Sequence, residues 1–229
     1  MSTRFTLVLD LDDTLFAERD FVRSGFEAVG RMMEGQGAAG FGAICWRLFE
    51  TGVRGDIFDR ALAEIGGNAT PDTIAALVAC YRGHTPRIAL AEDAARLLDR
   101  LDAAGQRFAV VTDGPLQMQR AKLAALGLDR RAAAAICTDR WGRDGWKPNE
   151  RGFRAAAETL GQGPFVYVGD NPVKDFIAPR RMGWLAVRLR RAGGEHAEAE
   201  PDGPNAAPHA EIASLDALDD VLRKQEAAE

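Results

Sequence analysis

Apolar residues in this chain follow two patterns. Short runs with no polar face recur as FTLVLD at 5–10, FAVVT at 108–112, AAICT at 134–138, FVYVG at 165–169 and WLAVRL at 184–189. Runs that are apolar on both faces suit strands of a parallel sheet covered by helices. Between them the period changes to that of a helix. Ala94, Leu97, Leu98 and Leu101 form a stripe within 91–104 that stops at Gly105, and Pro115 to Leu126 stops in the same way at Gly127. Pro148 is placed to open a further helix that runs through Leu160 to Gly161. This alternation predicts an α/β fold with a doubly wound parallel sheet.

Residues 17–87 break the rhythm. Phe21, Val22, Phe26, Val29 and Met33 make one helical stripe, and Ile57, Phe58, Ala61, Leu62 and Ile65 make another. Thr70 and Pro71 read as the cap and first turn of a helix to Tyr81, closed by Gly83. The expected division is therefore a sheet domain from 1–16 and 88–229, interrupted by an all-helical insert at 17–87. Placed directly after the first strand, such an insert is expected to serve as a lid.

Towards the end, AGGEHAEAEPDGPNAAPHA reads as a mobile loop without chemistry. Ser214 then caps a last helix, with Asp216 early and Arg223 and Lys224 late, which suits the helix dipole.

Composition narrows the function. The 229 residues are 46% hydrophobic and 28% charged, enough for one substantial core plus an insert. A formal charge of −5 gives no electrostatic reason to hold nucleic acid or an anionic membrane. Cys45, Cys80 and Cys137 are far apart and odd in number, which fits neither a disulfide framework nor a zinc site, so buried thiols in a reducing compartment are expected. Acids stand where a signal peptide needs an apolar run, and no window is apolar enough for a membrane span, so the expected location is cytoplasmic.

The acids at the strand ends carry the candidate chemistry. Asp10 and Asp12 lie two apart, so in extended chain they share a face, while Asp13 points elsewhere. Two such carboxylates call for a hard cation such as magnesium, or for a shared proton that makes one a general acid. A lone Asp would simply cap the next helix. Here a second pair, Asp170 and Asp175 in GDNPVKD, closes another strand. Between the pairs, Thr112 offers a hydroxyl at a strand end with backbone N–H groups after it, and Lys147 of WKPN offers an ammonium.

In this order, DLDDT, VVTDG, WKP and GDNPVKD resemble the four motifs of the haloacid dehalogenase superfamily, and the resemblance covers nearly the whole chain. It implies a Rossmann-like core with an inserted mobile helical cap, and a magnesium-dependent phosphatase. By the same resemblance Asp10 is the nucleophile and Asp12 the acid and base. Thr112 and Lys147 hold the phosphoryl group, and Lys147 also steadies the nucleophile. Magnesium is held by Asp10, Asp170 and the backbone carbonyl of Asp12, with Asp175 in support. The family often has Asn where this chain has Asp113, so Asp113 is expected to help through its backbone N–H alone.

The expected partner is a small phosphomonoester such as a sugar phosphate or nucleotide, with the natural substrate and the oligomeric state left open. Arg19, Arg47 and Arg54 are insert cations that could meet it, and Trp46 suits a core better than a stacking platform. Dehalogenases of the superfamily lack an acid at the position of Asp12, which favours phosphate chemistry. A phosphomutase remains an alternative. A phospho-accepting receiver module is another, but receivers are about half this length and have no cap.

Overall fold

The computed structural model describes residues 4–161 and 163–228. In chain order the elements begin with strand β1 (Thr6–Leu9) and helices α1 (Glu18–Glu34), α2 (Phe41–Glu50), α3 (Ile57–Glu64) and α4 (Pro71–Gly83). Next come α5 (Glu92–Ala103), β2 (Phe108–Thr112), α6 (Leu116–Ala125), α7 (Leu128–Arg131) and β3 (Ala134–Cys137). The chain ends with α8 (Arg151–Leu160), β4 (Phe165–Gly169), α9 (Ile177–Arg181), β5 (Leu185–Leu189), β6 (Ala210–Ile212) and α10 (Leu218–Ala228). Backbone contacts divide the chain into two compact units, Met1–Glu18 with Ala89–Glu229, and Arg19–Ile88.

In the first unit six parallel strands lie in the order β3-β2-β1-β4-β5-β6. This is the doubly wound order, which reverses beside β1 and puts the strand ends of β1 and β4 at the switch point. The apolar runs become these strands because both of their faces are covered: every residue of β2 is buried. Val8, Ala109, Val111, Phe153, Tyr167, Phe176 and Trp184 belong to one such layer.

Two boundaries differ from expectation. Pro148 does not open α8, which begins at Arg151, where Asn149 Oδ1 accepts the Arg151 N–H at 2.9 Å. Asn, unlike Pro, has a side-chain acceptor for an N–H left over at a helix start. The sixth strand, β6, follows where the alanine- and proline-rich stretch ends, at Ala210. Ser214 caps a short 3-10 turn, Leu215–Ala217, rather than α10 directly, accepting the Asp216 N–H at 3.2 Å.

The segment before β6 is fastened where a mobile loop was expected. Buried Arg188 of β5 donates to the carbonyls of His196 and Ala199 at 2.9 and 2.7 Å, and Glu195 N–H donates to Asp13 Oδ2 at 2.8 Å. A buried guanidinium needs such acceptors, so it draws the loop onto the sheet edge.

Asp93, at the start of α5, ties three segments together. It accepts two bonds from Arg191, at 2.9 and 2.8 Å, one from Ser214 Oγ at 2.9 Å and one from Leu215 N–H at 2.8 Å. Burial opposes the charge, but these donors prevail and hold the carboxyl down at about 2. A carboxyl that ionises more easily folded than unfolded stabilises the fold above about pH 4, and that contribution fades as pH falls towards 2. We expect Asp93→Asn to lower unfolding free energy by roughly 2 kcal/mol at pH 7. Urea titrations over pH should show the gap to wild type narrowing below pH 4; a gap independent of pH would contradict the assignment.

The second unit is helical. Phe26, Val29, Met33, Phe41, Cys45, Leu48, Ala61, Leu62 and Leu77 form its core, with Trp46 packed partly buried against it. Thr70 caps α4, its side chain accepting the Thr73 N–H at 3.2 Å. The three arginines singled out from sequence have partners inside this unit: Arg19 pairs with Glu50, Arg47 with Glu64, and Arg54 donates to the carbonyls of Phe49 and Val53. The three cysteines are free thiols, and burial pushes that of Cys45 up to about 12. Among the described residues no helix is long and apolar enough to cross a membrane.

Candidate active site

The site lies where β1, β2 and β4 run out. Leu9 of β1 is in register with Val110 of β2 and Val168 of β4, so Asp10, Thr112, Asp113 and Asp170 emerge together. Lys147 comes from the turns before α8, and Asp175 from the loop after β4.

Lys147 organises this cluster. Its ammonium is fully buried, 2.6 Å from Asp10 Oδ1, 2.7 Å from Asp175 Oδ1 and 3.0 Å from the Tyr167 hydroxyl. Asp175 is fixed from both sides, because its Oδ2 accepts the Asn171 N–H at 2.9 Å and the Tyr167 hydroxyl donates to its Oδ1 at 3.3 Å. Gly169 leaves room for it: a Cβ there would stand 2.5 Å from Asp175 Oδ2.

One ammonium does not balance three acids. Asp10, Asp170 and Asp175 can each bring a carboxylate oxygen within 4.8 Å of the others, and among the described residues they are the group able to hold a metal ion. Burial, with the Asp175 charge adding to it, pushes Asp10 up to about 7 although Lys147 pulls it down. Burial and the charges of Asp175 and Asp10 push Asp170 up to about 9. Buried hard oxygens short of positive charge fit a divalent cation.

Asp12 and Asp13 part company. Asp13 takes a left-handed backbone, φ 50°, and accepts the N–H groups of Glu18 and Glu195. These bonds fasten the turn that leads out of β1. Asp12 pairs backbone to backbone with Phe16, closing a small loop. Its carboxylate meets Lys122 Nζ at 2.6 Å and Gln119 Nε2 at 2.7 Å, both from α6. Asp10 and Asp12 therefore take different partners.

Gln119 links the halves of the site. The same Nε2 donates to Thr112 Oγ1 and to the Asp113 carbonyl, each at 2.6 Å. Gly114, at φ 126°, makes the turn between them, in a conformation that side chains rarely adopt. Both oxygens of the Asp113 side chain are taken: Thr138 Oγ1 and Lys147 N–H donate to one at 2.6 and 3.1 Å, and Lys174 Nζ lies 2.9 Å from the other. Despite burial, the charges of Lys147 and Lys174 and these bonds hold its carboxyl below the usual range.

Gln119, Lys122, Tyr167, Thr138 and Lys174 escape the motif reading. Gln119 and Lys122 are three apart, hence on one face of a helix, but in sequence that spacing is indistinguishable from an ordinary solvated face. Tyr167 sits two residues before Gly169 on a strand, and that alternation was the available signal that it points towards the site.

A family model of haloacid dehalogenase-like hydrolases matches residues 6–183. The phosphoserine phosphatase of Thermus thermophilus is 27% identical over 91% of this chain and 95% of its own length. The glyceraldehyde 3-phosphate phosphatase of Methanocaldococcus jannaschii is also 27% identical, over 86% of this chain and 88% of its own. Among solved structures, the HAD hydrolase YfnB of Bacillus subtilis, solved bound to magnesium, aligns at 21% identity and a TM-score of 0.67. That alignment covers 96% of this chain and 99% of YfnB. Solved dehalogenases share the fold as well. With the family model spanning most of the chain, including every strand that lines the site, this protein belongs to the haloacid dehalogenase-like hydrolases.

Proposed function

We propose that this hydrolase cleaves phosphomonoesters of small metabolites, sugar phosphates or nucleotides among them, with magnesium bound and through an aspartyl phosphate on Asp10. The observation that supports this best is Lys147, a fully buried ammonium on the carboxylate that must attack. An anionic nucleophile approaching an anionic phosphate needs positive charge already in place. Two relatives named as phosphatases of small phosphorylated compounds point the same way.

Magnesium would be held by the carboxylates of Asp10 and Asp170 and the backbone carbonyl of Asp12, with Asp175 in support; bound there it would supply charge to a phosphoryl oxygen. The residues of the chain do the rest. Thr112 Oγ1, Lys147 Nζ and the Asp113 N–H hold the phosphoryl oxygens. Asp10 attacks phosphorus, and Asp12 gives its proton to the leaving alcohol as the ester P–O bond breaks. Asp12, now ionised, takes a proton from the water that releases phosphate. A halide leaves without a proton, so a carboxyl held at Asp12 fits an alcohol leaving group.

The helical unit is assigned the role of a cap that selects that alcohol. Its placement in the chain supports this: both connections leave the core beside the acids, where Ala91 N–H donates to the Leu15 carbonyl at 2.9 Å.

The test is phosphate release from a panel of phosphomonoesters, with magnesium and with chelator. We expect turnover of at least one ester, falling about 100-fold or more on chelation. No release from any ester would contradict the reading, and phosphoryl transfer to a sugar in place of water would mark a mutase.

A further inference from the structure

We propose that Lys122 and Gln119 are positioning residues for Asp12, a two-pronged clamp on α6 that sets the proton carrier of the reaction proposed above, on which this inference rests. Each prong takes one carboxylate oxygen: Lys122 Nζ lies 2.6 Å from Oδ1, and Gln119 Nε2 lies 2.7 Å from Oδ2. A carboxylate gripped at both oxygens is confined to one rotamer, which is what delivery of a proton along a fixed line requires.

The setting of Lys122 argues against a role in stability alone. Its side chain is 2% exposed, 3.8 Å from Glu18 Oε1 and 5.8 Å from the centre of the Phe16 ring. Burying an ammonium costs several kcal/mol, and an apolar residue of the same volume commonly serves a fold as well or better. Asp12 lies against Lys122 at 2.6 Å, with Glu18 farther off at 3.8 Å. The charge therefore stands where it orders the proton carrier.

Gln119 extends the clamp to the phosphoryl side. Its amide nitrogen carries two hydrogens and faces three acceptors, Asp12 Oδ2, Thr112 Oγ1 and the Asp113 carbonyl. Because Thr112 Oγ1 receives one of these bonds, its own hydrogen is left to point at a phosphoryl oxygen. One amide thus sets the proton carrier and the anion-binding hydroxyl relative to each other.

In the reaction the clamp exchanges no atoms. The proton on Asp12 passes to the alcohol oxygen as the bond from that oxygen to phosphorus breaks and the bond from Asp10 forms, and Lys122 keeps its own protons throughout. Loss of the clamp should therefore slow the first step in proportion to how much the leaving group needs a proton, while the second step, common to all esters, is slowed alike.

The experiment compares Lys122→Met, Gln119→Met and Asp12→Ala on two substrates, the best alkyl ester of the panel and 4-nitrophenyl phosphate, whose leaving group needs little protonation. Thermal melts first establish that each variant is folded; Met retains the length of the Lys and Gln stems. For Lys122→Met we expect kcat/KM, which reports the steps up to loss of the alcohol, to fall about 30-fold on the alkyl ester and less than about threefold on the nitrophenyl ester. Gln119→Met should show the same split in kcat/KM, on top of a loss common to both esters because Thr112 is freed as well. In an Asp12→Ala background, Lys122→Met should add no further loss. Equal losses on the two esters, or a full additional loss in that background, would overturn the clamp while leaving the phosphatase reading intact. Wild type inactive on every ester would overturn that reading and the clamp with it.

Discussion

Asp10→Asn is expected to lower phosphate release by about four powers of ten while the protein stays folded. The substitution keeps the shape of the side chain, and its carbonyl oxygen can still accept from Lys147. What it removes is the nucleophile, since an amide oxygen does not displace an alcohol from phosphorus. Residual turnover should then reflect water attacking an ester that is still bound and still met by Thr112 and Lys147. Burst kinetics and melting curves of the two proteins check this. A variant within tenfold of wild type would remove Asp10 from the chemistry.

The second large effect is expected at Lys147. Lys147→Met takes away the ammonium that touches Asp10 and Asp175 at 2.6 and 2.7 Å. Breaking a buried ion pair from one side costs about 3–5 kcal/mol, because the remaining charge is left without a partner. Here two carboxylates are left, so one must take up a proton. Lys147 is one of the influences that lower the Asp10 pKa, so without it Asp10 should ionise at a higher pH than in the wild type. Since Asp10 attacks as the anion, the acidic limb of the kcat–pH profile should move to higher pH.

There is a second cost to the rate. Two unit charges about 4 Å apart repel by roughly 4 kcal/mol at an effective dielectric of 20, close to three powers of ten in rate. Because bound magnesium would relieve part of this, the expected fall in kcat at pH 7 is about 10²–10³-fold. Rate profiles and denaturant melts across pH measure both effects together. An unchanged acidic limb would show that Lys147 does not govern the ionisation of Asp10.

The sequence made this site legible where chemistry and geometry coincide on few residues. Strands buried on both faces leave continuous apolar runs, so β1 to β5 stood out. Acids directly after such runs are costly unless they are used, so Asp10 and Asp170 stood out too. What escaped depends on partners remote in sequence. β6 has three residues, of which Ile212 is the buried one, too short to carry a period. α2 begins after Gly40 in a left-handed conformation with no side-chain cap, so it has no start signal. Pro148 suggested a helix start that Asn149 helps provide three residues later at Arg151. Asp113 could be expected to turn away from an anion, but its partner Lys174 comes from the loop after β4, 61 positions on. Gln119 and Lys122 look solvated until the fold places Asp12 over α6.

The central claim is a covalent phosphoryl group on Asp10, and rapid acid quench during turnover, followed by mass spectrometry of the peptide that carries Asp10 and Asp12, tests it most directly. The expected result is a labile adduct of one phosphoryl group on Asp10, absent from Asp10→Asn and accumulating in Asp12→Ala with the nitrophenyl ester, because the base for the second step is gone. An adduct on another residue, or steady turnover of wild type and Asp12→Ala with none on Asp10, would contradict it.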